Sequence, residues 1–124
     1  MGLALVLEDD PAFCTVIVDL LTEAGLEPHV CSSYAELHAA AAMPGVRLVL
    51  ADYWGPSHVE LSAAEQEEIR ELGRRAPTLL LTGRTWARPA LAEELGVVAV
   101  LTKPIDVEAL LALVRRCLDV SQTR

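Results

Sequence analysis

LALVLEDDP, residues 3–11, carries five apolar residues straight into three acids and a proline. A run of Leu3, Ala4, Leu5, Val6 and Leu7 has no polar alternation. It therefore predicts a strand buried on both faces, as in a parallel sheet covered by helices. Asp10 before Pro11 reads as a helix cap, with the proline at the first helical position. Glu8 and Asp9 are not needed for capping. Carboxylates ~4 Å apart repel by roughly 4 kcal/mol per pair at an effective dielectric of about 20, so the cluster calls for a counter-charge. The stretch also lacks the glycines of loops that cradle phosphates with backbone N–H groups. It predicts an acidic cup for a cation, with a phosphoryl group following the metal.

The rest of the chain repeats the strand-then-helix alternation. Phe13, Val16, Ile17, Leu20 and Leu21 share one face of a first helix that Gly25 stops. A second strand is expected at Glu27 to Cys31. Ser33 with Glu36 reads as a capping box opening a second helix that Pro44-Gly45 ends. Strand three is placed at Arg47 to Ala51. Ser62 with Glu65 is a second capping box, opening a charged helix with Ile69 and Leu72 inward and Pro77 beyond its end. Strand four is Thr78 to Thr82. Pro89 opens a short fourth helix, Gly96 closes it, and strand five is Val97 to Leu101. The fifth helix starts near Asp106 and runs to about Val120, with Val107, Leu110, Leu111, Val114, Cys117 and Leu118 in one stripe. SQTR is a frayed end. The expectation is an α/β doubly wound three-layer sandwich of five strands and five helices, (βα)5, forming one domain over 1–124 with its core at about 3–118.

Composition narrows the function classes. The 124 residues are 52% apolar, enough for one real core. A net charge of −8 with dispersed Arg and Lys argues against direct nucleic-acid binding. No apolar run approaches the about 18 residues of a membrane span, and Met1-Gly2 leads directly into strand-like sequence, so no membrane partner and a cytoplasmic location are expected. Cys14, Cys31 and Cys117 are odd in number and widely spaced. They read as reduced, mostly buried thiols rather than a disulfide framework or zinc pattern.

In a doubly wound sheet the site lies at the carboxyl ends of the strands, near the point where strand order reverses. There the sequence offers Glu8, Asp9 and Asp10 after strand one, Asp52 after strand three, Thr82 after strand four and Lys103-Pro104 after strand five. Each has a plain reading alone: cap, turn residue, strand residue, surface charge. Their joint placement on one rim is what points to chemistry.

With VLEDDP closing strand one, LVLADYWGP with Pro56 four residues beyond Asp52, LLLTG closing strand four and LTKP closing strand five, the chain resembles a receiver domain of two-component response regulators, from Leu3 to about Leu118. The resemblance implies a flavodoxin-like sheet in order 2-1-3-4-5 and a phosphorylation switch. It implies Asp52 as the phosphoaccepting nucleophile, and Glu8, Asp9, Asp52 and the Trp54 backbone carbonyl as ligands of Mg²⁺, or alternatively Mn²⁺. Thr82 would hydrogen-bond the phosphoryl group and Lys103 would neutralise one of its oxygens. A cis peptide is implied at Lys103-Pro104. The implied donor is a histidine kinase or phosphotransfer protein. Catalysis would be self-directed only, with autodephosphorylation as its return step. Output would pass through the side built from the fourth helix, fifth strand and fifth helix, to a second copy or a downstream effector.

Departures bear on the output. Val100 stands where the family often has an aromatic switch residue. Gly83 keeps access to the phosphoryl group open. The stretch SHVELSAAEQ lacks the glycine common there, and His58 in it reads as a solvated loop histidine. VVAVL, residues 97–101, has no polar side chain, and Leu113 falls off the main stripe of the last helix, so that side is expected to meet a partner. Two other classes compete. One is a degenerate receiver acting as a phosphorylation-independent binding module. The other is a haloacid-dehalogenase-like phosphatase, which needs a second acid two residues after its nucleophile, where this chain has Trp54.

Overall fold

The computed structural model describes residues 2–52, 62–83 and 91–122. Trp54, Pro56, His58 and Pro89 lie outside them, and with them the loop after Asp52 and the opening of the fourth helix.

The elements alternate as expected: β1 (Leu3–Leu7), α1 (Pro11–Glu23), β2 (Glu27–Val30), α2 (Tyr34–Ala40), β3 (Val46–Asp52), α3 (Ala63–Arg75), β4 (Thr78–Thr82), α4 (Leu91–Leu95), β5 (Ala99–Thr102) and α5 (Val107–Gln122). The strands form one parallel sheet in the order β2-β1-β3-β4-β5. Chain order and sheet order diverge between β1 and β3, which makes their carboxyl ends the switch point. Leu7 pairs with Ala51, so the next residues, Glu8 and Asp52, emerge side by side.

Successive side chains of a strand point to opposite faces, so each central strand feeds two cores. Leu5, Leu7, Val49, Ala51, Leu80 and Val100 meet Leu37 of α2, Ile69 and Leu72 of α3 and Leu95 of α4. Ala4, Val6, Leu48, Leu50, Leu79 and Leu81 meet Ile17, Leu20 and Leu21 of α1 and Leu110, Val114, Cys117 and Leu118 of α5. This double burial explains why β1 has no polar residue. No helix among the described residues is long and apolar enough to cross a membrane.

The caps largely follow the sequence. Asp10 Oδ1 accepts from the backbone N–H of Ala12 at 3.0 Å and of Phe13 at 3.4 Å, and Ser62 with Glu65 forms a complete capping box. At α2 only half of the expected box exists. Ser33 Oγ accepts from Glu36 N–H at 3.1 Å, but Glu36 Oε2 turns to the N–H and hydroxyl of Ser32, at 2.9 and 2.6 Å. A donor one residue upstream that offers two hydrogen bonds wins over the single cap N–H.

Several boundaries differ from expectation for local reasons. β2 ends at Val30, although Cys31 N–H still reaches Val6 O at 2.7 Å. α2 stops at Ala40, where Ala42 and Met43 N–H tighten onto Ala39 and Ala40 carbonyls. β3 is longer by one residue at each end. β5 is displaced toward the C-terminus, because Val97 N–H bonds Ala92 O at 3.0 Å and Gly96 sits at φ +70, so Val97 still closes α4. α5 continues through Gln122, so the helix takes in two of the four residues expected to fray. Val16, expected on the buried stripe of α1, is 38% exposed.

Both faces of β5 are covered from within the chain. Val100 packs on the α2/α3/α4 side, while Ala99 and Leu101 are half-buried on the other, together with Leu113 of α5. The apolar content of this side therefore goes largely into internal packing. Among the described residues, Val98 just before β5 and Val107 at the start of α5, the latter expected on the buried stripe, are large apolar side chains left open there, at 48% and 43% exposure.

Candidate functional site at the strand ends

The rim at the carboxyl ends of β1, β3, β4 and β5 gathers the expected residues. Glu8 follows β1 directly and its side chain is fully buried. Its Oε2 accepts from Lys103 Nζ at 2.9 Å and from Asp10 N–H at 3.0 Å. Its Oε1 is buried with no hydrogen-bond partner among the described residues. Asp52 is the last residue of β3, and its Oδ2 accepts from the same Lys103 Nζ at 3.1 Å. Lys103 thus bridges two carboxylates from strands adjacent in the sheet but far apart in sequence. Its ammonium also lies 5.5 Å from the centre of the Phe13 ring, within cation–π range. The Lys103-Pro104 bond is cis.

Glu8, Asp9 and Asp52 each offer an oxygen within 4.8 Å of the others, and Asp9 is the exposed member. Asp10 is not in this trio. Its carboxylate is committed to the cap of α1, so the three consecutive acids divide into one cap and two rim carboxylates.

The electrostatics follow from burial. Desolvation, then a hydrogen bond with Asp9, pushes the Asp52 carboxyl up to about 7; Lys103 opposes this without cancelling it. Asp9 is held below the ordinary carboxylate range, chiefly by that same hydrogen bond from Asp52. Burial works against the charge on Lys103, but its hydrogen bonds to Glu8 and Asp52 hold its pKa above the usual value.

A divalent, oxygen-seeking cation fits these residues. Three carboxylates converge, one carries a buried oxygen with no partner among the described residues, and a cation would offset the cost of burying their charge. The Trp54 carbonyl lies outside the described residues.

Thr82 ends β4, is fully buried, and its carbonyl accepts from Lys103 N–H at 2.9 Å. At Gly83 an added Cβ would meet, among the described residues, the Lys103 side chain at 3.9 Å, an ordinary van der Waals contact.

Two rim residues were not singled out by sequence. Tyr34, first residue of α2, donates its hydroxyl to the Asp52 backbone carbonyl at 2.9 Å. Its signal was a tyrosine directly after an N-cap at the end of an edge strand. Phe13, read only as core, forms with Asp10, Val16, Lys103, Pro104, Ile105 and Val107 a cleft of ≈ 550 Å³ beside the rim.

No protein-family model and no curated protein sequence matches the chain. Solved structures do. A CheY-like response regulator receiver domain protein from Methanospirillum hungatei JF-1 has a TM-score of 0.75 at 20% identity, covering 99% of this chain and 98% of that one. The receiver domain of Francisella response regulator 1452 has a TM-score of 0.77 at 18% identity, covering 98% and 99%. The non-phosphorylated HemR receiver domain of Leptospira biflexa has a TM-score of 0.74 at 21% identity, covering 95% and 94%. The described chain, with its 2-1-3-4-5 sheet and acidic rim at the switch point, therefore has the fold of the CheY-like response regulator receiver domains.

Proposed function

We propose that the chain is a phosphoaccepting receiver in which Asp52 takes a phosphoryl group from the phosphohistidine of a kinase or phosphotransfer protein. A carboxylate oxygen of Asp52 attacks phosphorus, the P–N bond breaks, and the departing imidazole takes up a proton. The observation that carries this reading is the placement of Asp52. It is buried at the switch point, next to two further acids and within hydrogen-bond reach of Lys103.

For Asp52 to act as a nucleophile its carboxyl must be ionised, and burial works against that charge. Glu8, Asp9 and Asp52 would hold Mg²⁺, or Mn²⁺, which supplies the positive charge that favours the ionised form and offsets the charge of an incoming phosphoryl group. Lys103 is the chain's own cation at the same place, and Thr82 is the hydroxyl of the neighbouring strand end that would hydrogen-bond the product. Val100, small and buried, leaves no ring to swing between positions. A change at Thr82 would then be passed on through Gly83 and α4 to the α4-β5-α5 side, toward a second copy or an effector.

Intact mass after incubation with acetyl phosphate tests this. One phosphoryl adduct is expected with Mg²⁺, little without it, and none in Asp52→Asn. No adduct on the wild type, where a control receiver is labelled, would replace this reading with a phosphorylation-independent binding module.

A further inference from the structure

A second cluster of ligating groups lies one strand over, on a part of the fold the phosphoryl chemistry does not use. His29 lies in edge strand β2 and Cys31 is the residue just past its end, where its N–H still pairs with Val6 O, so the two, two residues apart, keep the strand alternation and share a face. Glu36, in the first turn of α2, comes back over that face. A His29 nitrogen, the Cys31 sulfur and a Glu36 oxygen lie within 4.8 Å of one another. We propose that His29, Cys31 and Glu36 form a binding site for a thiophilic divalent cation of the Zn²⁺ class.

The donor set selects this class of ion. One thiolate, one imidazole and one carboxylate are the ligands that tetrahedral Zn²⁺ takes, and soft sulfur excludes Mg²⁺ and Ca²⁺ as preferred occupants. The charges balance, because a divalent cation with one thiolate, one carboxylate and a neutral imidazole leaves no net charge.

Local geometry also prepares the site. Glu36 does not complete the capping box at α2. Its Oε2 is held by Ser32 N–H and Ser32 Oγ, which leaves Oε1 facing His29 Nε2 at 4.0 Å. A carboxylate fixed on one oxygen, with the other turned toward the neighbouring ligand, is the arrangement that orients a metal ligand. Bonds of about 2.0–2.3 Å in a tetrahedron place ligand atoms roughly 3.3–3.8 Å apart. Closing from the present spacing therefore takes about 1 Å of side-chain movement. His29 and Glu36, 47% and 42% exposed, are free to make it, while Cys31 is fixed in the core beside Leu37. Their exposure also leaves the fourth position open to water, as in sites with three protein ligands. Binding transfers the Cys31 thiol proton to solvent.

This site is independent of the phosphoryl chemistry, and Co²⁺ separates the two. Reduced, metal-free protein is first saturated with Mg²⁺ to occupy the acidic rim, then titrated with Co²⁺. The expected result is a sulfur-to-cobalt charge-transfer band in the near ultraviolet, saturating at one Co²⁺ per chain and removed by Zn²⁺. His29→Ala, a surface change checked for folding by circular dichroism, should weaken Co²⁺ binding by about tenfold or more. Cys31→Ser should abolish the band, and Cys14→Ser should leave it intact. Cobalt spectra without a charge-transfer band, a band indifferent to His29→Ala, or a band lost in Cys14→Ser would each overturn the proposal.

Discussion

Of the three acids after β1, Asp10 spends its carboxylate on two N–H groups of α1, whereas Glu8 and Asp9 turn to the rim with Asp52. The cost of that crowding is visible in Asp52. Its folded-state pKa, raised to about 7 by burial, means that the native chain holds a proton which the unfolded chain releases at a much lower pH. The folded state therefore loses stability as pH rises through that window, and the full cost is present above about pH 7. In metal-free buffer, Asp52→Asn should stabilise the protein by about 1–2 kcal/mol near pH 8 and have little effect near pH 4, measured by urea unfolding. Equal effects at both pH values would show that Asp52 is not the group under strain. Glu8, Asp9, Asp52, Thr82 and Lys103 were legible because each sits where an apolar run stops, and run ends mark strand ends. Tyr34 and Phe13 were not. A hydroxyl reaching from α2 to the end of β3, and a ring lying under an ammonium from the far end of the chain, depend on packing that has no local pattern.

Between elements, a few contacts set how the helices hold the rim. The Tyr34 hydroxyl ties the start of α2 to the Asp52 carbonyl. Tyr34→Phe keeps the ring and removes that bond, so chemical denaturation should show a loss of about 1 kcal/mol. No change would mean that water replaces the hydroxyl without penalty. At Gly73 in α3, an added Cβ would lie 2.3 Å from the carbonyl oxygen of Gly96 and 3.1 Å from its carbonyl carbon. Gly73→Ala should therefore destabilise the chain by about 1–3 kcal/mol, even though alanine alone favours a helix by about 1 kcal/mol over glycine. A gain in melting temperature would refute the close approach of α3 to the end of α4. The same region explains the misplaced start of β5. VVAVL reads as an unbroken strand, but Val97 N–H is used to close α4, a competition between two backbone partners that residue types alone do not announce. The half-formed capping box at Ser33 is a similar case, decided by Ser32.

For the molecule as a whole, the order of apolar runs and helical stripes carried the topology, because two-sided burial of parallel strands leaves few arrangements with right-handed crossovers. The same burial governs the thiols. Cys31 and Cys117 are buried and Cys14 is partly so. Burial, with Glu36 adding to it, pushes the Cys31 thiol up to about 11, and burial raises the other two. At neutral pH all three should react slowly with a disulfide reagent in the folded state, Cys14 first, and rapidly in denaturant. Fast labelling of Cys31 in native protein would mean that β2 and α2 separate readily. The account's central claim is that Asp52 is the residue that accepts a phosphoryl group. Its most direct measurement is borohydride trapping after Mg²⁺ and acetyl phosphate treatment, which reduces an aspartyl phosphate to homoserine, followed by peptide mass spectrometry. Homoserine at position 52 and nowhere else is the predicted result. An unmodified Asp52, or homoserine at Asp9 or another acid, would contradict it.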